Sequence, residues 1–220
     1  MIYKLKKKLR VLYDNIYYKH DKNVVNIGYV DNWNIYRNLP ESPLIFSGGA
    51  GKDITFELEL IEKFNATIHL FDPSPTGLKT FLNVPENDKL IYYQLGLAIN
   101  DNVIDFNFPQ NPEEGSFSKV INPINDVIKF KCIKLSNILC NYPRIDILKL
   151  DIEGFEYEVI EDIISNKIFP FQICCEFHHY FDSFSFLDTL KIIFLLKKNG
   201  YSIKHKTQND FLFVHKDLLL

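Results

Sequence analysis

Phe46-Ser47-Gly48-Gly49-Ala50-Gly51-Lys52-Asp53 joins a short apolar run, 44–46, to a stretch in which Ile54, Leu58 and Ile61 recur at helical spacing. A strand that ends in clustered glycines and turns at once into a helix is where a doubly wound sheet lets a ligand approach bare backbone. Working outward, 67–71 is a second strand, which completes a βαβ unit, and 90–94 and 103–108 are further extended pieces. The strongly apolar 146–150 leads into a helix over 155–164. The run 171–177 is the next strand, and a helix over 184–198 stops at Asn199-Gly200, a left-handed cap signal. Two last strands, 201–206 and 211–214, flank a Gln-Asn-Asp turn. This alternation predicts an α/β, Rossmann-like, doubly wound and mostly parallel sheet with an antiparallel C-terminal hairpin strand.

The chain has 220 residues, 46% of them apolar, which suffices for one substantial core, and we divide it into a lead-in over 1–43 and a domain over 44–220. A formal charge of −3 provides no basic field of the kind that draws proteins onto nucleic acid, so nucleic acid is not an expected partner. Cys132, Cys140, Cys174 and Cys175 form no C-x-x-C pair and no zinc-finger spacing, which predicts reduced thiols and a cytoplasmic location. No apolar run reaches the roughly 18 residues of a membrane span. Near the N-terminus Ile2, Leu5, Leu9, Leu12 and Ile16 fall at helical spacing among Lys4, Lys6, Lys7, Lys8 and Arg10. That pattern is a basic amphipathic helix, docked on the domain or making a peripheral membrane contact through residues 1–20. Residues 23–43 are turn-rich and read as a loop-rich lead-in or a short hairpin over the site.

Asp72 ends the second strand about 20 residues after the glycine turn, the position from which an acidic side chain accepts hydrogen bonds from ribose hydroxyls. Gly48, Gly49 and Gly51 depart from G-x-G-x-x-G and lack the glycine that lets a pyrophosphate close on the helix N-terminus. A wider polar turn suits the amino-acid end of S-adenosylmethionine better than a dinucleotide. Asp53 has two readings, an acceptor for that ligand's ammonium or a plain helix cap.

Asp151 and Glu176 are expected at the C-terminal tips of neighbouring strands, where ligands bind in open α/β sheets. Lys149, Asp151 and Glu153 share one strand parity, and His178 and His179 should point to opposite sides. Methyl transfer to oxygen needs an aligned hydroxyl and removal of its proton. Two chemistries fit. In one, His178 or Asp151 is the general base. In the other, Asp151 and Glu176 chelate Mg²⁺ or Mn²⁺, which orients and acidifies the acceptor. The plainer alternatives are an ion pair of Glu176 with Lys149 and a half-buried His178 on a loop. Glu153-Gly154 also suits a tight turn into a helix N-terminus, and 113–118 reads as a polar loop between elements.

These residues carry a family resemblance. S-G-G-A-G-K-D-I-T-F-E from Ser47, F-D-P-S-P from Phe71, G-L-A from Gly96, D-I-L-K-L-D-I-E-G-F-E from Asp146 and C-E-F-H-H from Cys175 resemble the FkbM-like class I methyltransferases. The resemblance implies a Rossmann-like fold with an antiparallel final strand, S-adenosylmethionine as donor and, commonly, O-methylation of sugars or other hydroxylated metabolites. On this basis the segment from Ser47 to Asp53, with Gly48, Gly49 and Gly51, would line the methionine side. Asp72 would hold the ribose, and Gly96 and Leu97 would lie near the adenine. The first 43 residues fall outside the resemblance. The expectation is a methyltransferase that acts on a hydroxyl of a carbohydrate or glycosylated small molecule, within surface-glycan biosynthesis. The competing readings are an inactive binding module of the same fold and a nicotinamide-dependent oxidoreductase.

Overall fold

A computed structural model describes residues 21–109, 115–119, 127–179 and 184–218. The amphipathic helix expected within residues 1–20 and the loop residues 110–114 lie outside the described residues. The central sheet has seven strands. In sheet order they are β12 (Tyr201–Thr207), β13 (Asp210–His215), β11 (Gln172–Glu176), β10 (Ile147–Leu150), β3 (Leu44–Gly48), β4 (Thr67–Phe71) and β5 (Leu90–Tyr93). Strands β11, β10, β3, β4 and β5 run parallel, while β13 runs antiparallel to both β11 and β12. The anticipated mostly parallel sheet with an antiparallel C-terminal hairpin is therefore what the chain forms.

Strand side chains alternate faces, so a strand covered on both sides must be apolar at both parities. Phe46, Leu148, Ile173, Cys175 and Phe213 face α4 (Glu156–Ser165) and α5 (Phe186–Lys198). Ile45, Ile147, Cys174 and Leu212 face the other layer, which holds α1 (Thr55–Phe64). That second layer also contains a feature outside the Rossmann plan, an antiparallel hairpin of β1 (Val24–Ile27) and β2 (Trp33–Tyr36). Ile27, Trp33, Ile35 and Tyr36 are buried in it. The Gln172 side chain accepts from the Tyr36 N–H at 2.7 Å and donates to the Tyr36 carbonyl at 2.8 Å, which fixes the far end of the hairpin to the sheet. At its near end the Gly28 N–H donates to Glu59 of α1 and the Tyr29 N–H to Thr55 Oγ. The described part of the lead-in thus forms a hairpin that covers this face of the sheet beside α1.

Several elements escaped the periodicity reading. A short helix, α2 (Pro75–Leu82), follows β4 and opens with Ser74 as cap and proline in its first turn. A second sheet pairs β6 (Gly96–Ala98) with β9 (Val127–Lys134), then β7 (Asn102–Asn107), the extended piece expected over 103–108, and β8 (Ser118–Lys119). A five-residue helix, α3 (Leu135–Leu139), joins β9 towards β10. Among the described residues no helix is long and apolar enough to cross a membrane, and all four cysteines are free.

Candidate active site

One cavity of about 340 Å³ opens at the C-terminal tips of β3, β4 and β10, within the size range of small-molecule sites. Gly49, Gly51, Asp53, Asp72, Gly96, Leu97 and Asp151 all line it. Ser47 does not: it is fully buried below the turn, where its Oγ donates to Glu57 at 2.5 Å. Gly48 serves the turn by being small, since a Cβ there would lie 2.7 Å from Leu97 and 2.9 Å from Ile152.

The glycine turn exists because two strand tips meet there. Gly49 has φ +91°, and a Cβ on it would stand 2.0 Å from the Asp151 carbonyl oxygen, so only glycine lets the β3 turn pass the end of β10. Asp72 fastens this turn. One of its oxygens accepts from the Ala50 and Gly51 N–H groups, both at 2.9 Å, and the other from Ser74 N–H at 2.7 Å. Those three bonds leave Asp72 little accepting capacity for the expected ribose. Asp53 is likewise occupied: it accepts from Thr55 N–H (3.1 Å), Thr55 Oγ (2.8 Å) and Asp31 N–H (3.1 Å). From one residue before the cap position, Ile54, it fastens Thr55 at the start of α1 to the hairpin, so it is not a plain N-cap, and its carboxylate also lines the cavity.

Lys149, which strand parity already grouped with Asp151, and Glu57, which the sequence reading did not single out, complete this end. Lys149, buried within apolar β10, donates to the Gly49 carbonyl at 2.7 Å and lies 3.8 Å from Glu57. Its ammonium sits 5.2 Å from the Trp33 ring centre. The anticipated Lys149–Glu176 ion pair is replaced by this Lys149–Glu57 pair. Farther along the cavity Phe71, Leu97, Phe106 and Phe117 give an apolar wall suited to a flat base.

At the tip of β10 a second turn carries the acidic residues. Glu153 adopts φ +53° and Gly154 φ +104°. The left-handed region costs an ordinary side chain about 1–2 kcal/mol, and here it aims Glu153 at His178. The imidazole of His178, 1% exposed, lies 3.2 Å (Nε2) from Glu153, 2.9 Å (Nδ1) from fully buried Glu156 and 4.0 Å from Asp151. Glu156 also accepts from the His178 N–H at 3.0 Å and the Gly154 N–H at 2.9 Å. Burial alone pushes the imidazole down, but hydrogen bonds to Glu153 and Glu156 push it up to about 11. His178 is therefore a cation, with no lone pair to accept a proton from substrate, and the general-base reading of His178 falls on this chemistry. As expected from parity, His179 points elsewhere, towards Thr189.

Burial raises the Asp151 carboxyl and the carboxylates of Glu153 and Glu156 add to it, against Lys149 and His178. Glu176 is pushed up to about 8 by burial and then by Asp151, and Asp210, its partner in register across β11 and β13, to about 6 by the same two causes. Burial works to raise Glu153 as well, but hydrogen bonds from His178 and Ser116 hold it below its ordinary value. Of these groups Asp151 and Glu153 line the cavity, whereas Glu176 and His178 stand behind them.

The expected Asp151–Glu176 chelate is not the set of donors that converges. Among the described residues the group with metal-ligand spacing is Asp151, Glu153 and His178, all within 4.8 Å. Both ring nitrogens of His178 are already committed to carboxylates, so this set contains its own cation and does not fit Mg²⁺ or Mn²⁺.

Residues 49–203 match the family model described as the methyltransferase FkbM domain. No curated protein matches the chain. Among solved structures, the chain is similar to the fibrillarin pre-rRNA processing protein of Methanococcus jannaschii, at 12% identity and TM-score 0.43 over 88% of this chain and 82% of that one. A methyltransferase from Pyrococcus furiosus is similar at 13% identity and TM-score 0.40, over 96% and 98% of the two chains. M. jannaschii TYW2, solved in complex with AdoMet, gives 8% identity and TM-score 0.35 over 88% and 84%.

Proposed function

The chain belongs to the FkbM methyltransferase family, and from that membership we propose that it methylates a hydroxyl oxygen of a carbohydrate or glycosylated small molecule, with S-adenosylmethionine as donor. A cytoplasmic role in surface-glycan assembly follows from the same reading and accords with four free cysteines. The observation that carries the reading is one cavity with a bare glycine turn and aromatic wall at one end and Asp151 with Glu153 at the other.

Charge supports the donor. Asp31, Asp53, Glu57, Asp72, Asp151 and Glu153 line the cavity against Lys52 and Lys149. A dinucleotide pyrophosphate would meet like charge there, whereas a sulfonium is welcome. This disfavours the nicotinamide reading. The residues proposed to hold the donor are Gly49 and Gly51 at the turn, and Leu97, Phe106 and Phe117 at the base, all of which line the cavity. When bound, S-adenosylmethionine supplies an electrophilic methyl group.

The chain's own part is to orient an acceptor and take its proton. Asp151 has that position, since its side chain is 30% exposed and reaches the cavity. Its raised proton affinity suits a general base. Glu153, held by the cationic His178 and by Ser116, is fixed to accept a second hydrogen bond from the acceptor. No step here uses a metal. Calorimetric titration with S-adenosylmethionine and S-adenosylhomocysteine is the test, with binding of both expected. Folded protein that binds neither overturns the proposal, and donor binding with full activity of Asp151→Ala in the cell returns the inactive-module reading.

A further inference from the structure

Lys149 and Glu57 are a buried ion pair in a place where the fold needs none. Lys149 is 4% exposed in a strand that is otherwise Ile, Leu and Leu, and Glu57 is 1% exposed on α1. Removing two charges from water costs several kcal/mol per ion, and apolar replacements of such pairs are often no less stable. The pair is also incomplete. Of the three N–H groups of Lys149, one reaches the Gly49 carbonyl, while the nearest Glu57 oxygen, at 3.8 Å, lies beyond hydrogen-bond range. Glu57 Oε1 accepts from Ser47, and among the described residues Oε2 accepts no hydrogen bond. No fully buried side-chain oxygen or nitrogen among the described residues lacks a partner, so Oε2 reaches accessible surface. Both residues line the cavity beside Gly49, and Trp33 of the hairpin closes the space over Lys149.

We propose that Glu57 and Lys149 form a subsite for the α-amino-acid end of the donor, with Glu57 accepting from its ammonium and Lys149 donating to its carboxylate. A spare donor and a spare acceptor of opposite charge, rigidly held and close together, match a zwitterion whose two charges sit on one carbon. A phosphate would use Lys149 and be repelled by Glu57. Asp53, the residue the turn itself suggests for the ammonium, already accepts three hydrogen bonds from Thr55 and Asp31, whereas Oε2 of Glu57 accepts none among the described residues. The subsite rests on the donor reading above and gives a function to β2, which lies outside the segment matched to the family.

The test begins with ligands, so it needs no variant. S-adenosylhomocysteine carries the amino-acid end, 5′-methylthioadenosine lacks it, and decarboxylated S-adenosylmethionine lacks only the carboxylate. Titration of the full chain should show S-adenosylhomocysteine binding roughly 10- to 100-fold more tightly than 5′-methylthioadenosine, the range for charge-assisted hydrogen bonds. Glu57→Gln and Lys149→Met should each erase most of that ratio while leaving 5′-methylthioadenosine within about threefold. Binding of the decarboxylated ligand should be insensitive to Lys149→Met. Equal affinity of the unaltered chain for the first two ligands overturns the subsite while leaving the donor reading standing, as do variants that weaken both ligands alike. A chain that binds no adenosyl ligand at all removes the donor reading, and the subsite with it.

Discussion

The turns after β3 and after β10 sit side by side at the tips of paired parallel strands, and each carries two residues in the left-handed region. In the first turn both are glycines, Gly49 and Gly51. In the second they are Glu153 and Gly154. The first turn achieves its shape by omitting side chains, and the acidic residue beneath it, Asp72, is consumed by backbone N–H groups. The second turn accepts strain at a glutamate to hold a carboxylate against an imidazolium. Side by side they separate two tasks: one turn makes room for a ligand, and the other places charge where a proton must move.

The sharpest way to break this contrast is to neutralise the second turn without altering its shape. Asp151→Asn should lower kcat about 10²- to 10⁴-fold, the usual contribution of a positioned general base. The affinity for S-adenosylhomocysteine should stay nearly unchanged. Equal loss of both in calorimetry and single-turnover assays would mean that the division of labour is wrong.

Filling the first turn should come next. Gly49→Ala puts a methyl 2.0 Å from the Asp151 carbonyl, a backbone atom that can yield only if β10 moves. We expect a loss of about 2–4 kcal/mol in denaturant unfolding, from overpacking together with the left-handed backbone. Urea curves that match the parent's would show that the two tips are not packed as described.

A third prediction concerns pH. The base works deprotonated, so kcat/KM should rise with pH and level off above the range of Asp151 and Glu176, where burial has raised both groups, with Glu153 and Glu156 adding to Asp151 and Asp151 adding to Glu176, which reaches about 8. Glu176→Gln removes one of the two like charges, and the rising limb should then move to lower pH by about one unit. An unmoved limb would show that Glu176 does not feel the working base.

The legible and illegible parts of the molecule differ in physical kind. Ile45 with Phe46 and Ile147 with Leu148 face opposite layers, so these strands had to be apolar at every position and stood out as short apolar runs. After Gly200, β12 alternates Tyr201 and Ile203 with Ser202 and Lys204, whereas β13 is another continuous apolar run from Phe211 to Val214, and the turn between them marks the hairpin. What stayed hidden depends on where single polar atoms point. Nothing in the spacing of Asp53 and Asp72 tells that backbone N–H groups take up their oxygens. His178 reads as a candidate base until Glu156, on another element, is seen at 2.9 Å. Lys149 did leave a signal, as a charge inside an apolar strand, and Glu57 as an acid on the buried face of α1 beside Phe56 and Leu60. Neither names its partner from spacing alone. Strand β9 alternates Lys129 and Lys131 with Phe130 and Cys132, a period-two pattern present in the sequence that the βαβ frame drew attention away from.

Gly51→Ala should have the smallest effect on the fold and is the finest probe of the contrast. A Cβ at Gly51 meets no atom within 4 Å, so the only cost to the empty protein is an alanine at φ +48°, about 1 kcal/mol. Yet Gly51 lines the cavity, so the added methyl projects where the donor is proposed to lie. Asparagine tolerates this backbone region better than alanine does, so Gly51→Asn should recover much of the stability while placing more atoms in the cavity. If the first turn exists to make room, the two variants should rank oppositely: alanine the less stable to urea, asparagine the weaker binder of S-adenosylhomocysteine. The same rank order in both measurements would mean that the glycine answers to the backbone alone, and the ligand would then approach the turn from elsewhere.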